Sequence, residues 1–557
     1  MRYAKSLFNF TGDISYITSS LPASLKGQWK HAIGWICILP LLDILSAYWL
    51  YVLIIVLQNE HVVIRGITFN RDKFTTIFIV IGVITALRQL VEYFSIKASK
   101  HFTQQVFQLF SMRLLEKYMQ MSWQSFSSEN RSARMKNVTE TALNYSYSFQ
   151  IVLNLINACC TFVLIGIAIL FKMPLLIISL ILTSLISVLI SRLYLKQKLY
   201  DASDKHEISQ KNFFQHVYEL FNFNREINIY KANQFFLKRT GNNLDSLGKA
   251  KVELSILPHI PRLVLELIIT LSLTGILLFI THQHAYSYQN LIASLATIAV
   301  LTRRMLPSIS LFLSSYTELY GSKMNARIVQ DELENGVAQK PLMPDDNLPV
   351  QTLIRLDNIS FGYESGHTLI HHFSYDINVG DTVAITGPTG TGKSSLIMLC
   401  GGILQPTKGN IFISTSLHTA EKAITYVSQE VFLLNQSVLA NICFGNDNMN
   451  EPQAWEALKM AKLDGFISGL PNGIYTEIGD NGTLFSGGQR QRLSIARALY
   501  QKPRVLLLDE ATAALDETTE KEVMTNILAY MSSGAVLFIT HRNQTAEMFS
   551  NKTITLN

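Results

Sequence analysis

Val383–Leu399 reads VAITGPTGTGKSSLIML. An apolar run of strand length gives way to a glycine-rich turn and then to helix-forming residues. Gly387, Gly392, Lys393 and Ser394 fit G-x-x-x-x-G-K-[S/T] in the strand–turn–helix setting that the motif needs. The physical reason for the pattern is phosphate. Glycines let backbone N–H groups close around a polyphosphate, and a helix N-terminus adds a favourable dipole. Lys393 can then reach the β and γ phosphates, and the Ser394 hydroxyl can ligate Mg2+. Thr389, Gly390 and Ser395 complete the expected lining of the loop. The expected cofactors are ATP and Mg2+, held on an α/β P-loop domain.

A second stretch points the same way. RVLLLDEATAALD (Arg504–Asp516) opens with four apolar residues, Val505–Leu508, as in the central strand of a parallel sheet buried on both faces. Asp509 falls at the C-terminal end of that strand, where it can hold Mg2+ through water. Glu510 follows and is placed to act as general base toward an attacking water. An acidic pair after a strand is common by itself. With a phosphate loop in the same chain it becomes specific.

Taken in order with further motifs, residues 351–557 resemble the nucleotide-binding domain of ABC transporters. SFGY (Ser360–Tyr363) matches the segment whose aromatic residue, here Tyr363, stacks on adenine. Such stacking is worth about 1–3 kcal/mol and tolerates any base. YVSQEVFLLNQSVLANICFG (Tyr426–Gly445) resembles the Q-loop region, which implies Gln429 near Mg2+ and at the contact with the membrane domain. TEIGDNG (Thr476–Gly482) resembles the short loop before the signature in exporters, and His541 in FITHR resembles the switch histidine that contacts the γ-phosphate.

FSGGQ (Phe485–Gln489) resembles the family's signature motif. In that family the motif closes over the γ-phosphate bound to the other subunit. The resemblance thus implies that Ser486, Gly488 and Gln489 complete a site on a second chain. One P-loop and one signature complete no site alone; a closed two-fold pair completes two. The lysine, glutamate, histidine and signature are all intact, which favours a homodimer, with a heterodimer as the alternative. Phe485 stands where the family usually has leucine, implying altered packing rather than lost chemistry. Ala513 stands where many members have serine, implying weaker signalling across the pair. Asn557 follows soon after the last expected strand, so no regulatory tail is expected.

The rest of the chain has a different composition. Of 557 residues, 48% are hydrophobic and 16% charged, against about a quarter charged in ordinary soluble chains. A chain this long needs at least two domains. The net charge of +6 is too small and too dispersed to argue for nucleic acid, and the positive-inside rule accounts for it. Five scattered cysteines, Cys37, Cys159, Cys160, Cys400 and Cys443, form no C-x-x-C pair, so neither a zinc site nor a disulfide framework is expected. The first apolar run begins near Gly34, too far in and too long for a signal peptide. Six stretches reach the ~20 apolar residues that a membrane helix needs: 33–57, 75–96, 148–171, 174–194, 256–281 and 287–316. The links at 97–147 and 195–255 are long, basic and helical in pattern, and read as cytosolic extensions of the spans. The fold expected is an α-helical membrane domain (1–330) with six transmembrane helices, a polar linker (331–350) and the α/β ATPase domain (351–557). The positive-inside rule puts both termini in the cytosol, and the membrane expected is a bacterial-type inner membrane.

Six spans fused ahead of an ATPase resemble exporters of the ABC superfamily. SWQSFSSEN (Ser122–Asn130) and NREINIYKANQFF (Asn224–Phe236) sit where exporters place coupling helices. The roughly thirty residues before the first span are too few for the peptidase domain of some peptide exporters. LLDILSAYWLYVLI (Leu41–Ile54), LPHIPRLVLELI (Leu257–Ile268) and LTRRMLPSISLF (Leu301–Phe312) resemble bacterial lipid-linked oligosaccharide flippases. That resemblance implies that Arg88, Arg262 and Arg304 line a cavity facing a pyrophosphate, although Leu311 stands where the flippase pattern has a further arginine. Arginine suits phosphate because its planar donors bind bidentately. The alternative is local neutralisation, since Arg88 with Glu92 and Arg262 with Glu266 are spaced i,i+4. The partners expected are a second copy, membrane lipid and a transported cargo: an amphipathic anionic lipid or lipid-linked glycan, with a peptide or hydrophobic drug as the alternative. From another class, the chain could be an ATPase regulating a membrane partner without transport.

Overall fold

The computed structural model describes residues 21–58, 61–64, 67–70, 74–128, 131–170, 196–260, 307–316, 318–319, 324–335, 338–363, 368–420, 422–479 and 482–556, with isolated positions between 263 and 274. The chain divides into two compact units. One comprises Met1–Gln120 with Ser127–Gly336, the other Met121–Phe126 with Val337–Asn557.

In the first unit the expected spans at 33–57, 75–96 and 148–171 fall on three long helices: α1 (Ala23–Gln58), α2 (Phe74–Gln120) and, after the short α3 (Trp123–Ser128), α4 (Ala142–Leu170). All three are long and apolar enough to cross a membrane. The expected span 174–194, and most of 256–281 and 287–316, lie outside the described residues. The 47 residues of α2 run roughly 70 Å at 1.5 Å each, more than twice the ~30 Å hydrocarbon layer, so this helix continues well beyond its span. The link between α1 and α2 is a β-ribbon, β1 (His61–Ile64) paired antiparallel with β2 (Ile67–Asn70) through Val62↔Phe69 and Val63↔Thr68. Its β-branched and aromatic residues favour the extended form.

Aromatic rings tie the three long helices together. Trp29 of α1 lies 5.2 Å from Phe102 of α2, and Phe102 meets Phe149 of α4 edge-on at 6.0 Å. Ser99 of α2 donates to Gln150 Oε1 of α4 at 2.9 Å. Charge is handled in the same way. Arg88 Nε donates to Asp43 Oδ1 and Arg88 Nη1 to Glu92 Oε2, both at 2.6 Å. The i,i+4 pairing is therefore present, and Asp43 from α1 is the second partner. Beyond these helices, α5 (Lys196–Asn222) and α7 (Asn233–Ile256) pack on each other, with α6 (Asn224–Ile229) at the turn between them. That turn exposes Phe221, Phe223, Ile229, Tyr230 and Phe235, the first and fourth by 77% and 78%.

The second unit is α/β. Five parallel strands are ordered β11 (Lys552–Thr555), β6 (Thr382–Thr386), β10 (Ala535–Ile539), β9 (Val505–Asp509) and β8 (Ile424–Val427). A four-stranded, mainly antiparallel sheet is ordered β3 (Met343–Pro344), β7 (Lys408–Ile413), β4 (Thr352–Gly362) and β5 (Thr368–Asn378). The alternation along β9 shows why its sequence is apolar throughout. Val505 and Leu507 enter one core with Ile354, Val383 and Leu396, while Leu506 and Leu508 enter the other with Leu493, Ile527 and Phe538. Both faces are covered, as parallel sheets require.

Asp43 is buried and Glu92 only partly so, with side-chain exposures of 8% and 38%. Removing the buried partner of an ion pair strands the other charge. Asp43→Ala is expected to cost about 3 kcal/mol and to lower Tm in detergent more than Glu92→Ala does. Equal shifts would contradict the unequal burial.

Candidate functional site

The phosphate loop joins β6 to α8 (Lys393–Cys400). Gly387 has φ +143°, and a Cβ there would meet Leu556 O at 2.2 Å, so no other residue fits. Gly390 and Gly392 also take left-handed conformations, and Thr389 and Gly390 form the exposed crest of the loop. Lys393 is buried, and its Nζ donates to Gly387 O at 2.7 Å and Pro388 O at 2.9 Å, across the loop's own mouth. Ser395 is buried behind the loop, and its hydroxyl lies 3.3 Å from the Tyr363 hydroxyl. Tyr363, 42% exposed at the end of β4, stands edge-on to Phe361 at 5.1 Å. An exposed ring beside a phosphate loop is suited to stacking on a base.

The end of β9 lies close to the loop. Ser394 Oγ donates to Asp509 Oδ1 at 3.0 Å, and the Tyr426 hydroxyl donates to Asp509 Oδ2 at 3.0 Å. Burial pushes the Asp509 carboxyl above the usual carboxylate range, while these two hydrogen bonds favour its charged form. Burial likewise pushes the Tyr426 phenol up, so it stays a donor at neutral pH. Hard oxygen donors from Ser394 and Asp509, brought together beside a phosphate loop, fit Mg2+, which binds one or two protein oxygens together with substrate phosphates.

Glu510 gathers the remaining groups. Its Oε2 accepts from Gln429 Nε2 at 2.8 Å, and its Oε1 lies 2.8 Å from His541 Nε2. Glu510 itself has φ +50°, a left-handed conformation that costs a non-glycine residue of order 1–3 kcal/mol and is retained at functional sites. Two side chains from different strand ends thus converge on one strained carboxylate.

The signature segment caps a helix. Ser486 precedes α10 (Gly487–Tyr500); its Oγ accepts from Gln489 N at 3.3 Å, and its own N–H donates to Gln489 Oε1 at 2.8 Å. This capping box stabilises the helix start. A Cβ at Gly488 would lie 3.0 Å from Ala514 O, so the helix start approaches the turn after Glu510 closely. Phe485 is buried and meets Phe466 edge-on at 5.4 Å, so the larger residue is taken up by packing. Ala513 N donates to Glu510 O at 3.1 Å within that turn.

Lys393, Ser394, Gln429, Asp509, Glu510 and His541 therefore belong to one connected set. Arg88 lies in the other unit with its two carboxylates, and Arg262 and Arg304 lie outside the described residues. Two elements went unread in the sequence. Tyr426 looks like strand filling in ITYV, and only its place beside the β9 end marks it. Arg497 donates to Asn441 O, Asn441 Oδ1 and Phe432 O, tying α10 to the short helix α9 (Val438–Ile442) and to the loop after Gln429.

Residues 370–513 match the ABC transporter family. The ATP-dependent lipid A-core flippase of Cupriavidus metallidurans is 36% identical over 230 residues, 39% of this chain and 39% of that protein. Its namesake in Saccharophagus degradans is 37% identical over 200 residues, 35% and 34% of the two chains. The whole chain resembles a bacterial Atm1-family ABC exporter with ATP bound, with a TM-score of 0.81, 20% identity, and coverage of 96% of this chain and 94% of that one. Residues 370–513 thus carry the ABC transporter match, in a chain whose fold is that of the solved exporter. The curated matches span about two fifths or less of the length of those relatives. The three long apolar helices and the exporter fold make it an integral membrane protein.

Glu510→Gln keeps the side chain's shape and removes its basicity. It should retain ATP binding and lower kcat by about 10^2-fold or more. Near-normal turnover in a steady-state phosphate-release assay would exclude Glu510 as the base.

Proposed function

We propose that this protein is an ATP-driven exporter or flippase that works as a pair of copies. It carries an amphipathic, anionic lipid or lipid-linked glycan across a bacterial-type inner membrane, with the ATPase domain on the cytoplasmic side. The observation that carries this reading is an ATP site converging on Glu510 in a chain whose fold over nearly its whole length is an exporter's.

Each residue has a role that follows from its position. The loop amides and Lys393 bind the β and γ phosphates, with the ammonium exchanging the carbonyls of Gly387 and Pro388 for phosphate oxygens. Ser394 and Asp509 would hold Mg2+, with Gln429 beside them, and the ion would supply charge neutralisation of the phosphates. Glu510 accepts the proton of the attacking water, and its hydrogen bonds to Gln429 and His541 fix its direction. His541 also reaches toward the γ-phosphate. Tyr363 stacks on the base.

The pair of copies follows from the signature. Ser486, Gly488 and Gln489 would present the start of α10 to the γ-phosphate held by the other copy, where a helix N-terminus favours an anion. The exposed aromatic and aliphatic cluster around α6, including Phe221 and Tyr230, is large enough to need a cover and suits a second copy. The lipid cargo is supported by the names of the flippase relatives. Peptide or hydrophobic-drug export is the second reading, favoured by the engagement of Arg88 with Asp43 and Glu92.

Mass spectrometry of ligands retained by the nucleotide-free protein in native lipid discs tests the cargo. An enriched polyprenyl-pyrophosphate glycan or other anionic lipid, lost in Arg262→Ala combined with Arg304→Ala, is the expected result. Bulk lipid alone would favour the second reading. In transport assays the double variant should keep its basal ATPase and lose anionic-lipid movement; unchanged movement would remove both arginines from the cargo path.

A further inference from the structure

One part-buried hydroxyl in the nucleotide site has no part in the roles given above. Tyr426 lies on β8 and pairs in register with Leu507 of β9, two residues before Asp509. Leu507 and Asp509 share a face of the strand. The phenol therefore lies alongside that face and reaches forward to the carboxylate, donating to Oδ2 at 3.0 Å. The other oxygen, Oδ1, accepts from Ser394 at 3.0 Å. Asp509 is only 4% exposed, and β9 is fixed between β8 and β10. Burying a phenol costs free energy unless its O–H finds a partner, and phenylalanine would fill the same space without that cost. The hydroxyl is thus matched to the carboxylate rather than to the core.

The neighbouring contact sharpens the point. Gln429, three residues after Tyr426, donates to Glu510, the residue after Asp509. The end of β8 therefore addresses two consecutive acids. It holds Asp509 through a part-buried phenol and Glu510 through an exposed amide.

We propose that Tyr426 is a positioning residue for the divalent cation. By occupying Oδ2 it fixes the rotamer of Asp509 and turns Oδ1 toward Ser394, so that two hard oxygens are preset for a hydrated Mg2+ ion. The proposal rests on the nucleotide-site reading above. Groups that orient a metal's ligands typically contribute 10–100-fold to its affinity.

The test uses full-length protein in lipid discs, saturated with a non-hydrolysable ATP analogue and titrated with Mn2+, with free Mn2+ followed by electron paramagnetic resonance. A fluorescent ATP analogue in excess EDTA reports metal-free nucleotide binding in parallel. Tyr426→Phe should raise the Mn2+ Kd about 10-fold and leave metal-free nucleotide binding and Tm unchanged. An unchanged Mn2+ Kd overturns the proposal. A matching loss of metal-free nucleotide binding also overturns it, because the hydroxyl then serves the fold of the loop. Wild-type protein that binds neither nucleotide nor Mn2+ overturns the nucleotide-site reading itself, and this inference with it.

Discussion

The burial of β9 on both faces is the constraint from which the geometry of the candidate site follows. Four apolar side chains lock the strand between two cores, and β8 and β10 hold its edges. Nothing in that arrangement can slide by a residue without turning Leu506 and Leu508 into the wrong core. The strand therefore delivers Asp509 and Glu510 to a fixed edge of the sheet. The switch from buried strand to left-handed Glu510 is abrupt, with φ at +50°. Such strain persists only where the surroundings over-determine the conformation. Here the backbone is held by Ala513 N on Glu510 O and the side chain by Gln429 and His541.

A second fixed connection runs from the loop after Gln429 to the signature helix. Arg497 is on α10 and donates from three nitrogens to the carbonyls of Asn441 and Phe432 and to the Asn441 side chain, at 2.8–3.0 Å. Asn441 is fully buried and itself bonds Leu434 N and O. Burial lowers the Arg497 pKa to about 10, which leaves it charged at neutral pH. A buried guanidinium with its hydrogen bonds made is costly to pull apart. These bonds tie Phe432 and Asn441 directly to α10.

The readable part of this protein is the part where chemistry is local in sequence. The P-loop glycines, the apolar β9 run and the acidic pair each need specific residue types within a few positions, so spacing alone exposes them. The groups around Glu510 needed the order of motifs along the chain, because Gln429 and His541 are 81 and 31 residues away from it. What stayed unread is what tertiary packing decides. Tyr426 is an ordinary strand residue until β8 is laid beside β9. Asp43 sits 45 residues from Arg88, so helical spacing found Glu92 and missed it. Ser486 and Gln489 fit the capping-box pattern as well as the signature, and the local hydrogen bonds satisfy the first while leaving the second for a partner.

The ion cluster bears directly on the nature of the cargo. A charged side chain at mid-membrane costs about 2.5–3.5 kcal/mol on insertion scales, so charges there are retained when they neutralise one another or meet a ligand. Arg88 commits Nε to Asp43 and Nη1 to Glu92, two carboxylates against one guanidinium. A pyrophosphate approaching Arg88 would be repelled by two carboxylates already bonded to it at 2.6 Å. Arg88 is in that respect a fastener between α1 and α2, bonded to the buried Asp43 of the first and to Glu92 of the second. The contact proposed for an anionic lipid then falls to Arg262 and Arg304.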